Sequence, residues 1–419
     1  MSDIEKPCLR RDIELVRAAA QDGSPMIVVR DPFELADGGN VAIRSEAFNL
    51  LVLLDGSRTI EEMRLELLAQ SARAGQLTPV PLEVLQSFLD QLDRAYLLDN
   101  RRYREARRNL VEQFTGLEMR PPVLAGRAYP EEKPELVKFL EEILAEKPQE
   151  EIPPQLKGKK IRAVVAPHID IRAGRKLYAS AYSTIRGMSF DRVVILGVGH
   201  SMESGLFSFT EKDHITPLGR VETDRRAVKK LHLAAGPLAT VDDFTHMREH
   251  SIEFQLIFLQ YVLEGPFTIV PVLCGSLFEQ LIQGDSNRPR KIDKLTPALD
   301  CLAALLKDRR KKTLIVAGVD FSHTGPKFGD QLPAIKITAD STEHDKALLG
   351  ALIAGDVESF CEVSRRAEDR YHVCGFSALA MLLEVLPKRT KAVELGYQVW
   401  HEAPTQSAVS FAAAAFYSP

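Results

Sequence analysis

Long apolar runs are missing from this chain of 419 residues. No stretch approaches the ~18 uninterrupted apolar residues of a membrane span, which argues against an integral membrane protein. Cysteine is scarce. Cys8, Cys274, Cys301, Cys361 and Cys374 form an odd and sparse set of five, so a disulfide framework is excluded and a reducing, cytoplasmic compartment is expected. A surplus of positive charge is missing too. Lys plus Arg number 54 against 58 Asp plus Glu, a net charge of −4, which excludes a dedicated polybasic nucleic-acid binder. The stretch 1–23 alternates charges with apolar residues and lacks the apolar segment of a secretory signal. No internal repeat or low-complexity tract stands out. What remains is ordinary globular composition, 45% hydrophobic and 27% charged, enough for at least one large core. At ~150 residues per domain the length suggests two or three domains.

The first hundred residues read differently from the rest. Met26–Val29 and Asn40–Ile43 look like short strands. Three helical patterns follow, over Glu46–Leu54, Thr59–Gln70 and Leu82–Ala95, the second opened by a Thr-x-x-Glu cap. Tyr96–Asn100 reads as a wing strand. Residues 101–108 then place five arginines within eight positions, and composition favours a solvated interdomain helix over a nucleic-acid patch. The chain is therefore divided into a first domain over 1–105, a linker over 106–122 ending at Pro121-Pro122, and a second domain over 123–419.

From Ile161 onward strands alternate with helices. The strand-like runs are Ile161–Ala166, Arg192–Leu196, Phe267–Leu273, Thr313–Val319, Ala392–Val399 and Ala408–Tyr417. Helical patterns fall between most of them, as at Arg175–Arg186, Ser251–Leu263, Leu295–Leu306 and Phe376–Leu386. This alternation predicts an α/β fold with a largely parallel or mixed sheet flanked by helices.

The chemistry gathers where those strands end. Ile161–Ala166 runs into Pro167-His168, the strand through Leu196 into His200, and the strand from Thr313 into Asp320 and His323. Open α/β sheets place ligand sites at the carboxyl ends of their strands. One strand-end histidine is most simply a satisfied polar residue; three together point to a site. Two more segments join them. In Glu249-His250-Ser251-Ile252-Glu253, His250 and Glu253 lie three apart on one helix face, although helix capping also explains part of this segment. Cys374 precedes the helix beginning near Phe376, where the helix dipole favours thiolate; the simpler reading is a small buried apolar residue, as expected for Cys301 and Cys361. Imidazole nitrogen with a thiolate or carboxylate suits iron, copper or zinc. Asp320, Glu249 and Glu253 would orient the ligand rings, while His323 and His250 would move protons.

Several ordered motifs in residues 123–419 resemble the Memo family, including the proteins called AmmeMemoRadiSam system protein B. They are Val123–Pro130, Ala166-Pro167-His168, Leu196–His200, Glu249–Glu253, Val319–His323 and Cys374-Gly375. The resemblance implies a fold similar to the class III extradiol dioxygenases. It also implies His168, His200 and Cys374 as metal ligands, with Asp320 and His323 in the same pocket. This chain departs from the family at Ile169-Asp170-Ile171, at Val198-Gly199 and at Ala128, changes that bear on substrate more than on metal. Asp170 adds a carboxylate beside His168. The first hundred residues resemble the PqqD-like winged helices through Leu54–Ile60 and Leu92–Leu98.

Three functions compete. The first is a metal-dependent redox enzyme, iron-loaded or with copper or zinc, with His323, Asp320 and His250 as catalytic groups. The second is a metal-free hydrolase with Cys374 as nucleophile and His323 or His372 as base. The third is a scaffold that retains the pocket and binds partners. The two resemblances together imply a radical S-adenosylmethionine protein or a peptide as partner of the N-terminal domain, through strand addition. Nucleic acid is not expected there: residues 1–100 carry 10 basic against 17 acidic side chains.

Overall fold

The structure, a computed structural model, describes residues 5–20, 22–36, 39–75, 79–146 and 152–419. Contacts divide the chain into two compact units, Met1–Gly116 and Leu117–Pro419. The division falls inside the 106–122 segment, whose first half is helical.

In the first unit, β1 (Glu14–Ala19), β2 (Pro25–Arg30) and β3 (Asn40–Arg44) form an antiparallel sheet in sequence order. They are followed by α1 (Phe48–Val52), α2 (Ile60–Arg73), α3 (Leu82–Arg94) and α4 (Arg101–Thr115). Thr59 and Glu62 close both halves of a capping box at the start of α2, as the Thr-x-x-Glu pattern requires. Ile27, Val29 and Ile43 from the sheet pack with Leu51, Met63, Leu89 and Leu92 into one core. The arginine run lies in α4. Arg101 pairs with Glu105 and Arg104 with Asp99, while buried Tyr103 donates to Asp12 at 2.9 Å. Tyr96–Asn100 is not a wing strand. Among the described residues its ladder contact is the isolated bridge between Leu98 and Leu9, and Tyr96 holds a left-handed φ of 56° that breaks extended pairing.

The second unit contains β4 (Met119–Arg120), α5 (Lys133–Leu144), β5 (Lys160–Ala166), α6 (Ile171–Ser183) and β6 (Arg192–Val198). There follow β7 (Phe207–Phe209), β8 (Asp213–Thr216), β9 (Gly219–Thr223), α7 (Arg225–Ala235), α8 (His250–Val262), β10 (Thr268–Cys274) and α9 (Thr296–Lys307). It ends with β11 (Thr313–Gly318), β12 (His323–Thr324), α10 (Thr338–Ala354), α11 (Val357–Arg366), α12 (Phe376–Val385), β13 (Lys391–Glu402) and β14 (Ser407–Ser418). Among the described residues these strands make one eleven-stranded mixed sheet, in the order β12-β14-β5-β11-β6-β10-β9-β8-β4, with β13 on β14 and β7 on β10.

The central strands β5, β11, β6 and β10 are parallel and nearly all buried. Continuous Val/Ile/Leu runs have no polar face to give to water, so both sides of the sheet must be covered. Alternate residues serve alternate cores. Ala163, Val165, Val194 and Leu196 face α7, α9 and α12, whereas Val164, Val193, Ile195 and Val316 face α5, α6 and α8. No helix among the described residues is long and apolar enough to cross a membrane.

Candidate metal centre

Strand order assembles the site. β5, β11 and β6 are neighbours, so the residues leaving their carboxyl ends, His168, Asp320 and His200, emerge side by side. The fourth contributor is the start of α8, and two glycines let it approach. A Cβ on Gly197 of β6 would lie 2.5 Å from Ser251 Oγ, and one on Gly318 of β11 would lie 2.7 Å from Gln255 Nε2 and collide with the Ser251 carbonyl. With only hydrogen there, the first turn of α8 rests on the sheet. Ser251 Oγ accepts from the Val198 N–H at 3.0 Å, and Gln255 donates to the Pro167 carbonyl at 3.0 Å. His250 is thereby held over the strand ends.

The result is a cluster of three imidazoles. His168, His200 and His250 have ring centroids 4.7 to 5.0 Å apart, and each offers a ring nitrogen within 4.8 Å of the others. His168 is buried, His250 half-buried and His200 exposed, so the cluster opens to solvent past His200. Hydrogen bonds assign two of the tautomers. His168 Nδ1 faces the Gly318 carbonyl at 2.9 Å; since a carbonyl only accepts, Nδ1 carries the proton and Nε2 keeps the lone pair that could bind a metal. His200 Nδ1 likewise faces Glu249 at 3.1 and 3.2 Å, freeing its Nε2. Glu249 also accepts from the His200 N–H at 3.1 Å and the Ser251 N–H at 2.9 Å, and lies 3.3 Å from His250 Nδ1. One buried carboxylate thus caps α8 and orients a ring, which is how metal-binding histidines are usually fixed.

Electrostatics keeps most of these rings neutral. Burial, joined by the neighbouring imidazoles, holds His168 well below its ordinary range, and burial brings His250 down to about 4. Burial would lower His200 too, but the Glu249 charge and hydrogen bond override it and raise that ring. Burial would raise the Glu249 carboxyl, and the charge and hydrogen bond of His200 bring it well below the usual carboxylate range.

Asp320 joins the same place. Its Oδ1 accepts from the His168 N–H at 3.0 Å and its Oδ2 lies 3.6 Å from His168 Nε2; burial lifts its carboxyl to about 7. His323 turns Nδ1 to the Phe321 carbonyl at 3.0 Å and sets its ring edge-on to Phe328; burial takes it down to about 4, with His200 adding to the shift. Cys374 Sγ lies 3.4 Å from His168 Nε2. An N and an S ligand on one tetrahedral zinc-type ion stand about 3.6 Å apart, from bond lengths of about 2.1 and 2.3 Å. The thiolate expectation is corrected: burial, with Asp320 and Glu249 nearby, pushes the Cys374 thiol well above its ordinary range and outweighs the dipole of α12. Cys274 and Cys361 are buried core residues whose thiols burial pushes up to about 12.

Two expected carboxylates serve elsewhere. Asp170 is exposed and caps α6, its Oδ1 accepting from the Arg172 N–H at 2.8 Å. Glu253 is buried but turned to the Val123–Pro130 segment. It accepts from Arg120 at 2.5 Å, Tyr129 OH at 2.5 Å and the Leu124 N–H at 2.9 Å. Arg120 in turn donates to the carbonyls of His246 and Glu249, so this pair braces the loop before His250, and both of its charges act on the His250 ring. Beside Cys374 a cleft of about 280 Å³ is lined by Val198, Gly199, Gly275, Phe278, Asp369 and His372. His372 sits there at φ 48°, a conformation costly for a residue with a Cβ.

The profile of the Memo-like protein family matches residues 120–415, nearly the whole second unit. This chain belongs to the Memo-like family. A MEMO1 family protein of Aquifex aeolicus is 32% identical over 394 residues, 93% of this chain and 96% of its own length. A MEMO1 family protein of Thermus thermophilus is 29% identical over 360 residues, 84% of this chain and 97% of its own. One from Methanosarcina barkeri is 27% identical over 281 residues, 67% of this chain and 92% of its own. The Aquifex match covers too much of this Memo-like chain to be confined to residues 117–419 and extends into the first unit.

Proposed function

We propose that this Memo-like protein holds a transition metal at its histidine cluster, iron first and copper or zinc as alternatives, and that with iron or copper bound it acts as a metal-dependent oxidoreductase. The observation that carries the reading is the tautomer control. Buried acceptors, the Gly318 carbonyl and Glu249, fix the His168 and His200 rings with an unprotonated nitrogen turned into one cluster. A cluster serving only to pack needs no such arrangement. His168 and His200 are the ligands we assign, with the Cys374 thiol or His250 as the third; three protein ligands leave positions open for substrate or water. A bound metal would supply a Lewis acid and a redox centre. The protein contributes the rest. Asp320, with its carboxyl near 7, exchanges a proton beside His168, and the neutral His323 accepts one. The cleft beside Cys374 admits the substrate. Metal analysis of the protein and of a His168→Ala/His200→Ala variant tests this: metal in the first and none in the second supports it, and negligible metal in both removes it.

One observation favours a companion role in binding. The free edge of β3 and the face of α3 bound a groove of about 630 Å³ lined by Val41, Ile43, Phe88 and Leu92. An extended peptide, or a segment of a radical S-adenosylmethionine partner, would add to β3 through main-chain hydrogen bonds and place alternate side chains on Phe88. Loss of peptide capture in a Phe88→Asp variant supports this role; capture of duplex DNA instead contradicts it.

A further inference from the structure

The strands that deliver His168, His200 and Asp320 at one end of the sheet begin at the other with Lys160, Arg192 and Thr313. A strand of this length puts roughly 20 Å between the two ends. At that far end lies a cleft of about 580 Å³, the size of a small-molecule site, bordered by six cationic side chains: Lys160, Arg162, Lys307, Arg309, Lys311 and Lys312. A single carboxylate, Asp308, borders it, and Arg310 engages that one at 3.0 and 3.2 Å.

Some of these cations are accounted for. Lys311 pairs with Asp224 at 2.9 Å, Arg162 donates to Ser418 at 2.7 Å, and Lys312 stands 4.8 Å over the Phe190 ring. Lys307 lies in the last turn of α9, where the helix dipole favours a cation. Lys160 and Arg309 have no carboxylate partner among the described residues. Positive charge here exceeds its compensation, and the Lys160 ammonium feels it: burial, then Arg162 and Lys312, hold it below its ordinary range.

A second observation is independent of charge. Thr313 lines the cleft, is buried, and its Oγ1 has no hydrogen-bond partner. Arg192, directly opposite it in the β6–β11 register, is also buried and leaves Nη1 unpartnered while its other nitrogens bind Asp224. A buried donor without an acceptor is costly, and here two of them stand side by side, one of them lining the cleft.

We infer that this cleft is a binding site for a compact oligophosphate, the chemistry shared by inorganic polyphosphates and nucleoside di- and triphosphates. Such an anion carries several acceptor oxygens and several negative charges in one small volume, which suits a guanidinium and ammonium cluster around a pocket. An acidic peptide or a duplex would instead need a longer positive track. The site stands apart from the histidine cluster and does not depend on the metal reading.

Isothermal titration of the full chain with inorganic triphosphate, ATP and uncharged adenosine, at near-physiological salt, tests it. Expected are saturable one-to-one binding of both phosphates, no binding of adenosine, and affinity at least tenfold weaker in a Lys160→Glu/Arg309→Glu variant. Equal affinities for triphosphate and ATP identify the phosphate chain as the whole ligand; tighter ATP identifies a nucleotide. A His168→Ala/His200→Ala variant binds as the unmodified chain does, which separates this cleft from the metal centre. Arg309→Gln alone, a change at an exposed position, repeats the comparison if the double variant fails to fold. Absence of saturable binding, affinity unchanged in both Arg309 variants, or stronger binding of an acidic peptide or duplex DNA than of triphosphate overturns the inference.

Discussion

Replacing Glu249 by glutamine exchanges one heavy atom and disturbs the ring contacts of both His200 and His250. The carboxylate faces donors on both oxygens. Oε2 faces the His200 N–H and Nδ1, while Oε1 faces His200 Nδ1, the Ser251 N–H and, at 3.3 Å, His250 Nδ1. Whichever way a glutamine amide is turned, its NH₂ meets at least one N–H, and a buried donor left facing a donor costs about 1–3 kcal/mol. The cheapest relief is for His200 to move its proton to Nε2, which removes the nitrogen meant for the metal. Metal affinity should therefore fall ten- to a hundredfold, the range for losing an orienting partner, or about 1.4–2.8 kcal/mol. Glutamine is a better probe than alanine because it can still cap α8 at Ser251, so folding is largely retained. Competition with a chromophoric chelator measures the affinity, and a thermal melt checks the fold. A Glu249→Gln protein that binds metal as tightly as the unmodified chain would refute the reasoning.

Other consequences are as specific. Loading with cobalt(II) should give sulfur-to-metal absorption that is lost in Cys374→Ser; no such band in the unmodified protein means that only the imidazoles bind. Gly318→Ala should drive α8 off the sheet, since the new methyl collides with Ser251 and Gln255, and both metal binding and the melting temperature should fall together. Glu253→Ala leaves Arg120 buried and unpaired, a loss of about 3–5 kcal/mol measurable by denaturant unfolding. For Asp224, burial favours protonation, but hydrogen bonds from Lys311 and Arg192 outweigh it and bring the carboxyl from its ordinary 3.8 to about 2. Its stabilisation is then fully present above pH 3.8 and lost as pH falls through about 2, so Asp224→Asn should destabilise at neutral pH and converge on the unmodified protein in acid.

Much of the site could be read from the sequence because parallel strands buried on both faces are continuous apolar runs. Their ends are plain, and His168, His200 and Asp320 stand at those ends. The spacing of His250 and Glu253 was a weaker guide. Both belong to the first turn of α8, but a shared helix face does not say which neighbour each side chain meets. Glu249, ahead of the helix, reaches the rings, while Glu253 reaches Arg120, 133 residues earlier in the chain. No local pattern announces such a pairing. Asp170 misled for a related reason: adjacency to His168 counts for little once the chain turns into α6, where an aspartate caps. For Cys374 the helix dipole was visible in the sequence, whereas the depth of burial that overrides it belongs to the packed molecule. The close approach at Gly197 and Gly318 is not legible in the sequence either, since glycine inside a strand carries no sign of which helix will lie upon it.

The central claim is that the imidazoles of this Memo-like protein hold a metal, and elemental analysis after anaerobic and aerobic purification tests it most directly. About one transition-metal ion per chain is expected, falling to near zero in His168→Ala and His200→Ala proteins that melt as the unmodified chain does. Metal absent from all three, or equal in all three, would contradict the account.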